Sequence, residues 1–242
     1  MRATNWEFRN RAMVFGLIFG FSFSAYIFDS PNSAAALANW LGAAGGMYSN
    51  LIARILFVLA SCLLVVAALA RTWASSYLHA KVVYAAEVKT ASLVADGPYR
   101  HVRNPLYFAN LLLAAGMGAM MSRIGFFMAI IAMLVFCYRL IFREEADLLA
   151  SQGEQYRRYQ NAVPRLWPAV RARTASAGRR ANWAEGFKAE FWCWGCAIAI
   201  AAFAITLNTP TFFAILGASV IVLWLSTWVI DKKTRGARPA DP

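Results

Sequence analysis

LYFANLLLAAGMGAMMSRIGFFMAIIAMLVFCYRLIF, residues 106–142, holds two apolar runs with only Ser122-Arg123 between them. As a helix, at about 1.5 Å per residue, each run approaches the thickness of a bilayer core. In lipid every backbone N–H and C=O must be bonded within its own segment, so the predicted conformation is helical. A break of two residues leaves room only for a helical hairpin.

Working outward, similar runs occur at 12–28, 51–70, 191–207 and 211–230. The last two are separated by Asn208-Thr209-Pro210, which predicts a second hairpin, with Thr209 as cap and Pro210 in the first turn. The expected fold is therefore all-α: a polytopic membrane protein of about six transmembrane helices, two hairpins among them. The 242-residue chain is 60% hydrophobic with a mean hydropathy of +0.48. That is too apolar for a soluble domain of this length. Residues 33–50, small and glycine-rich, are expected to form an interfacial helix or a re-entrant turn. The first run ends in Asp29-Ser30-Pro31 and lacks a small-x-small cleavage pattern, so it is expected to be a retained helix and not a leader.

Charge tests this topology. There are 24 Lys+Arg against 12 Asp+Glu, a formal net charge of +12. In a six-helix arrangement only Arg54 and Arg123 fall on one side, and every other Lys and Arg falls on the side of both termini. The positive-inside rule then predicts cytoplasmic termini, as in a bacterial inner-membrane protein. It also accounts for the basic composition without nucleic acid. The four cysteines lie in or beside apolar runs and suggest no disulfide framework. Cys193 and Cys196 form a C-x-x-C at the opening of an apolar run, without the strand context of a redox pair or the further ligands of a zinc site.

The expected divisions are N-terminal helices 1–70, a core 71–170, a basic linker 171–190, and a C-terminal hairpin with basic tail 191–242. Two clusters in the core carry unusual chemistry. DGPYRHVRNPLY, 96–107, stands at the mouth of one helix of the central hairpin. RLIFREE, 139–145, stands at the end of the other. The hairpin brings both to the same, cytoplasmic, end. Carboxylates are unfavourable at a helix C-terminus, so Glu144 and Glu145 are expected to bind a cation or to be neutralised by Arg139 and Arg143.

RTWA at 71–74, SLVADGPYRHVRNPLYFAN at 92–110 and REEADLLASQGEQYRRYQNAVPRLWP at 143–168 together resemble the superfamily of isoprenylcysteine carboxyl methyltransferases and phospholipid N-methyltransferases. Gly97, Tyr99, Arg103, Asn104, Pro105 and Tyr107, then Glu144 and Glu145, then Gly153, Tyr156, Tyr159, Val163 and Pro164 follow its spacing. Asn104 stands where the carboxyl methyltransferases carry His, Ala109 replaces a glycine, and the chain continues through two further helices.

The resemblance implies S-adenosylmethionine as methyl donor, in a cofactor pocket at the cytoplasmic boundary. The implied contacts are Leu93, Val94, Tyr99, Arg103, Asn104, Pro105, Tyr107, Glu144 and Glu145. Arg103 would meet the donor's carboxylate and the paired glutamates its ammonium or ribose. A membrane lipid or small hydrophobic acceptor would enter from the bilayer. A carboxylate acceptor would be held by Arg139 or Arg143. An amine acceptor would need a base, for which His101, Glu87 or a member of the glutamate pair are candidates. No metal is expected. Two other readings stay open: an NADPH-dependent enzyme similar to sterol reductases, and a non-enzymatic protein whose basic face binds anionic lipid.

Overall fold

The computed structural model describes residues 2–45, 49–78 and 95–236. Among these the protein has helices and no strand. The helices are α1 (Asn5–Arg9), α2 (Arg11–Ser24), α3 (Ser33–Gly45), α4 (Ser49–Tyr77), α5 (Pro105–Gly118), α6 (Arg123–Ala162), α7 (Trp183–Ala189), α8 (Phe191–Thr206) and α9 (Thr209–Gly236).

Helix α4 is the centre. It packs against α3, α5, α7 and α8. Small side chains on one face permit this: Ala60, Ser61, Ala67, Ala68, Ala74 and Ser75 are all buried. Without a hydrophobic drive between helices in lipid, close approach of small residues is what holds them. Phe57 and Leu64 fill the remaining space among them. The opposite face exposes Ile55, Val58, Leu59, Val66 and Leu69, which suits hydrocarbon and not water.

Two helices are long and apolar enough to cross a membrane, Ser49–Tyr77 and Arg123–Ala162. A third span is formed if Trp183–Ala189 and Phe191–Thr206, bent by 62°, act as one. The other expected runs form shorter apolar helices, Arg11–Ile27, Pro105–Gly118 and Thr209–Val222. So the expected six apolar helices are present, and among the described residues two or three of them meet both the length and the composition of a full span.

The central hairpin forms as expected. Ser122 caps α6, its hydroxyl accepting from the Gly125 N–H at 3.1 Å. In the second hairpin the turn residue is Leu207, in the left-handed region at φ 49°. Asn208, not Thr209, accepts the capping bond, from the Thr211 N–H at 3.3 Å. Residues 33–45 form a short helix whose Ala34, Ala38 and Gly42 are buried.

Arg54 and Arg123, the two arginines expected on the side away from the termini, both have partners. Arg123 pairs with Asp29 at 2.8 Å. Arg54 donates to the carbonyls of Ala204 and Ile205 at the end of α8, where the helix dipole favours a cation.

Helix α6 outruns its apolar part and bends back on itself. The bend is at Gly153, with φ 54° and ψ −124°. Side chains rarely adopt that backbone, and glycine does so without steric cost. The returning piece carries Tyr156, Tyr159 and Gln160 toward the mouth of α5, which places the site.

Candidate functional site

The segment before α5 is fixed by its backbone. Asp96 is extended, Gly97 turns the chain at φ 58°, and a tight helical turn, Gly97–Arg100, follows. A Cβ on Gly97 would lie 2.3 Å from the Tyr77 ring, so close approach and conformation both require glycine here. Three backbone bonds then lay 100–103 beside the chain that leaves α6. The Arg103 N–H donates to the Pro164 carbonyl at 2.9 Å, Ala169 to His101 at 2.9 Å, and Arg173 to Arg100 at 2.8 Å.

This brings Arg103, Asn104 and the end of α6 together around Glu145. The Arg103 guanidinium donates to Glu145 at 2.9 Å, and Arg165 donates to its other oxygen at 3.0 Å. Asn104 donates to Glu145 at 3.3 Å and to the Arg165 carbonyl at 3.0 Å. Arg103 also donates to the carbonyls of Gln160 and Val163. Glu145 is 5% exposed. Its charge is balanced by two arginines and its oxygens are saturated.

Glu144, one residue earlier, differs. It is half-buried, it accepts the Tyr107 hydroxyl at 2.8 Å, and it has no ion pair among the described residues. The helical rotation of about 100° between neighbours separates the two carboxylates onto different surroundings. Tyr159 donates its hydroxyl to the Tyr99 carbonyl at 2.7 Å and so ties the returned end of α6 to the Gly97 turn. Pro105 opens α5, where its missing N–H costs nothing.

The His101 ring lies 5.9 Å from that of Trp73. Its Nδ1 is 2.9 Å from the Ala169 carbonyl. A carbonyl only accepts, so Nδ1 carries the proton and the neutral ring has its lone pair on Nε2.

Arg139 and Arg143 stand elsewhere. Four residues apart, they share a face of α6 that looks toward α1. Arg139 pairs with Glu7 at 2.7 Å. Arg143 donates to the Ala3 carbonyl at 3.2 Å and lies over the Phe8 ring. The expectation that they neutralise the glutamate pair is corrected: Arg103 and Arg165 do so for Glu145. Leu93, Val94 and Glu87 lie outside the described residues.

Residues 171–180 read as a linker, yet residues 174–179 are strapped to Asp96. Asp96 accepts the Ser176 hydroxyl, the Ala177 N–H at 2.8 Å and the Arg179 N–H at 3.0 Å. Burial acts to raise its pKa, and the bonds from Ser176, Arg179 and Ala177 outweigh that and hold it below the ordinary carboxylate value. An open groove of about 720 Å³ lies between this strap and α6, lined by Glu154, Gln155, Arg158, Tyr159 and 174–177.

Sequence reading also missed a second polar cluster. Arg71 of α4 forms a buried ion pair with Glu190, which is 0% exposed and opens α8. Ser75 donates to Glu190 at 2.6 Å, and Arg71 donates to the Asn110 side chain on α5. The available signal was an acid at the edge of an apolar run, which is costly unless paired.

Residues 55–152 match the family model described as phospholipid methyltransferase. The likeness is of this segment, less than half of the chain. It runs from α4 to the residue before the Gly153 bend, and takes in Arg71, the Gly97 turn, Asn104, Tyr107 and both glutamates. Among characterised proteins, the cobalt-zinc-cadmium resistance protein CzcN of Cupriavidus metallidurans is 29% identical over 102 residues, 42% of this chain and 44% of its own length. The nickel-cobalt-cadmium resistance protein NccN of Alcaligenes xylosoxydans xylosoxydans is 28% identical over 102 residues, 42% of this chain and 45% of its own. The matched region thus spans less than half of these relatives. No solved structure matches. No group of three or more His, Cys, Asp or Glu side chains is arranged to hold a metal among the described residues.

Proposed function

We propose that this protein transfers a methyl group from S-adenosylmethionine to a lipid or small hydrophobic acceptor at the cytoplasmic membrane boundary. The observation that carries this reading is Glu144, a half-buried carboxylate inside the matched segment that accepts the Tyr107 hydroxyl and, with Arg11 acting on it only through its charge, makes no direct ion pair among the described residues. A cationic group is the natural counterpart of such a carboxylate.

S-adenosylmethionine supplies a methyl carbon on a sulfonium, which an acceptor lone pair displaces in line. Glu144 would hold a positive group of the donor, with Tyr107 fixing the carboxylate's direction. Arg103, Asn104 and Glu145 would form a rigid wall, because each already bonds the others. His101 Nε2 would accept a proton if the acceptor is an amine. Alignment and exclusion of water would supply much of the rate, so few reacting side chains are needed. A carboxylate at this position argues against a phosphate-bearing nicotinamide cofactor, whose phosphates it would repel.

Titration of S-adenosylmethionine into the detergent-solubilised protein tests the reading. Binding by the wild type and its loss in Glu144→Ala is the expected result. Unchanged binding in that variant removes Glu144 from the site, and absence of binding by the wild type overturns the reading. Transfer of labelled methyl into a total membrane extract then identifies the acceptor.

A further inference from the structure

Beyond the family segment, the chain returns to the core at one charged residue. Glu190 opens α8 with no exposed surface. Both of its oxygens face Arg71, at 3.2 Å for the longer contact, and one also accepts from Ser75. Cys193 lies 3.7 Å from the same carboxylate. Arg71 reaches on to Asn110, and the partly exposed Trp192 ring stands over its guanidinium at 5.6 Å. The α7–α8 unit is anchored around this pair, with the Trp194 indole donating to Thr72 at 3.1 Å.

Its place relative to the donor cluster is notable. Asn110 and Tyr107 are three apart, on one face of α5, so the bond to Arg71 and the bond to Glu144 lie on consecutive turns. Tyr99, in the Gly97–Arg100 turn, feels the charges of both clusters. Burial first, then the negative charges of Glu144 and Glu190 beside it, raise the phenol well above its ordinary pKa. It therefore remains an O–H donor. The residue is 8% exposed.

We propose that Glu190 is a positioning residue of the methyl-transfer site, acting through Arg71 and Asn110 on α5, the helix whose Tyr107 holds Glu144. This rests on the methyltransferase reading above and adds that the C-terminal helices, outside the family segment, form part of the catalytic unit. Glu190 fixes the guanidinium, the guanidinium fixes Asn110, and together they set the wall against which the acceptor's polar end is aligned. Because Glu190 already balances Arg71, this wall has no net charge. It suits an acceptor that is uncharged at its reacting end, such as a free amine, thiol or hydroxyl.

A purely structural ion pair predicts something different. Buried pairs replaced by well-packed apolar residues often leave stability unchanged or raised. The double variant Arg71→Met with Glu190→Met is therefore compared with Glu190→Gln and wild type. Each is tested in detergent for thermal melting, for S-adenosylmethionine binding and for labelled-methyl transfer into membrane extract. The expected result is a double variant that melts near the wild type, binds the donor within about twofold and transfers methyl at least about tenfold more slowly. Glu190→Gln is expected to lower kcat by a similar factor with donor affinity kept. A double variant that folds and transfers at the wild-type rate overturns the proposal and leaves the methyltransferase reading standing. So does a Glu190→Gln variant with unchanged kcat. A wild type that neither binds donor nor transfers methyl overturns both.

Discussion

Arg103 and Glu145 face each other at 2.9 Å with side chains 7% and 6% exposed. Their neighbour Glu144 has no such partner among the described residues. The two adjacent glutamates should therefore respond differently to the same substitution. Glu145→Ala leaves two arginines facing a buried gap and should cost about 3–5 kcal/mol, as removal of one member of a buried pair does. Glu144→Ala removes one hydrogen bond and should cost about 1 kcal/mol. Thermal melting in detergent checks this: a large drop for Glu144→Ala together with a small one for Glu145→Ala would reverse the assignment.

Asp96 should make the strap at 174–179 sensitive to acid. Its folded pKa is lowered, so its contribution is complete above the unfolded value of about 4. It is lost as pH falls through the folded value. Limited proteolysis at Arg179 and Arg180 reads the strap. Cleavage should be slow at neutral pH and faster in Asp96→Asn at the same pH. Equal rates in the two proteins would show that Asp96 does not hold the segment.

Gly97→Ala should destabilise the protein by about 1–3 kcal/mol, since a side chain would be held at positive φ and driven into the Tyr77 ring. The loss should be partly relieved in the double variant Gly97→Ala with Tyr77→Ala, which removes the clash and leaves the strain. Comparison of melting temperatures tests both parts.

Glu7, paired with Arg139, has its pKa lowered to about 2, first by the hydrogen bond from Arg139 and then by the Thr4 N–H. The stabilisation is present above about pH 4 and lost as pH falls through about 2. The pair is a quarter exposed, so Glu7→Gln should cost about 1 kcal/mol or less. Donor binding should not change, because Arg139 stands away from Glu144.

Much of this was legible in the sequence. Hydropathy and the Ser122-Arg123 break determined a helical membrane protein with a central hairpin, because a helix in lipid is dictated by its own residues. The motif spacing located Gly97–Tyr107 and Glu144–Glu145 at one end of that hairpin. Gly153, within the same spacing, turned out to bend α6.

What tertiary structure alone decided are the pairings. Which arginine answers which glutamate depends on where remote helices pack. Arg139 and Arg143 are close to the glutamates in sequence, yet their shared helical face directs them to the N-terminal segment. Arg103 and Arg165 reach Glu145 instead, because Gly153 folds the end of α6 back. Arg71 and Glu190 are 119 residues apart and meet only when α8 docks on α4. Helical periodicity is a local property and reports faces; a buried charge is settled by whatever opposite charge the packing brings to it.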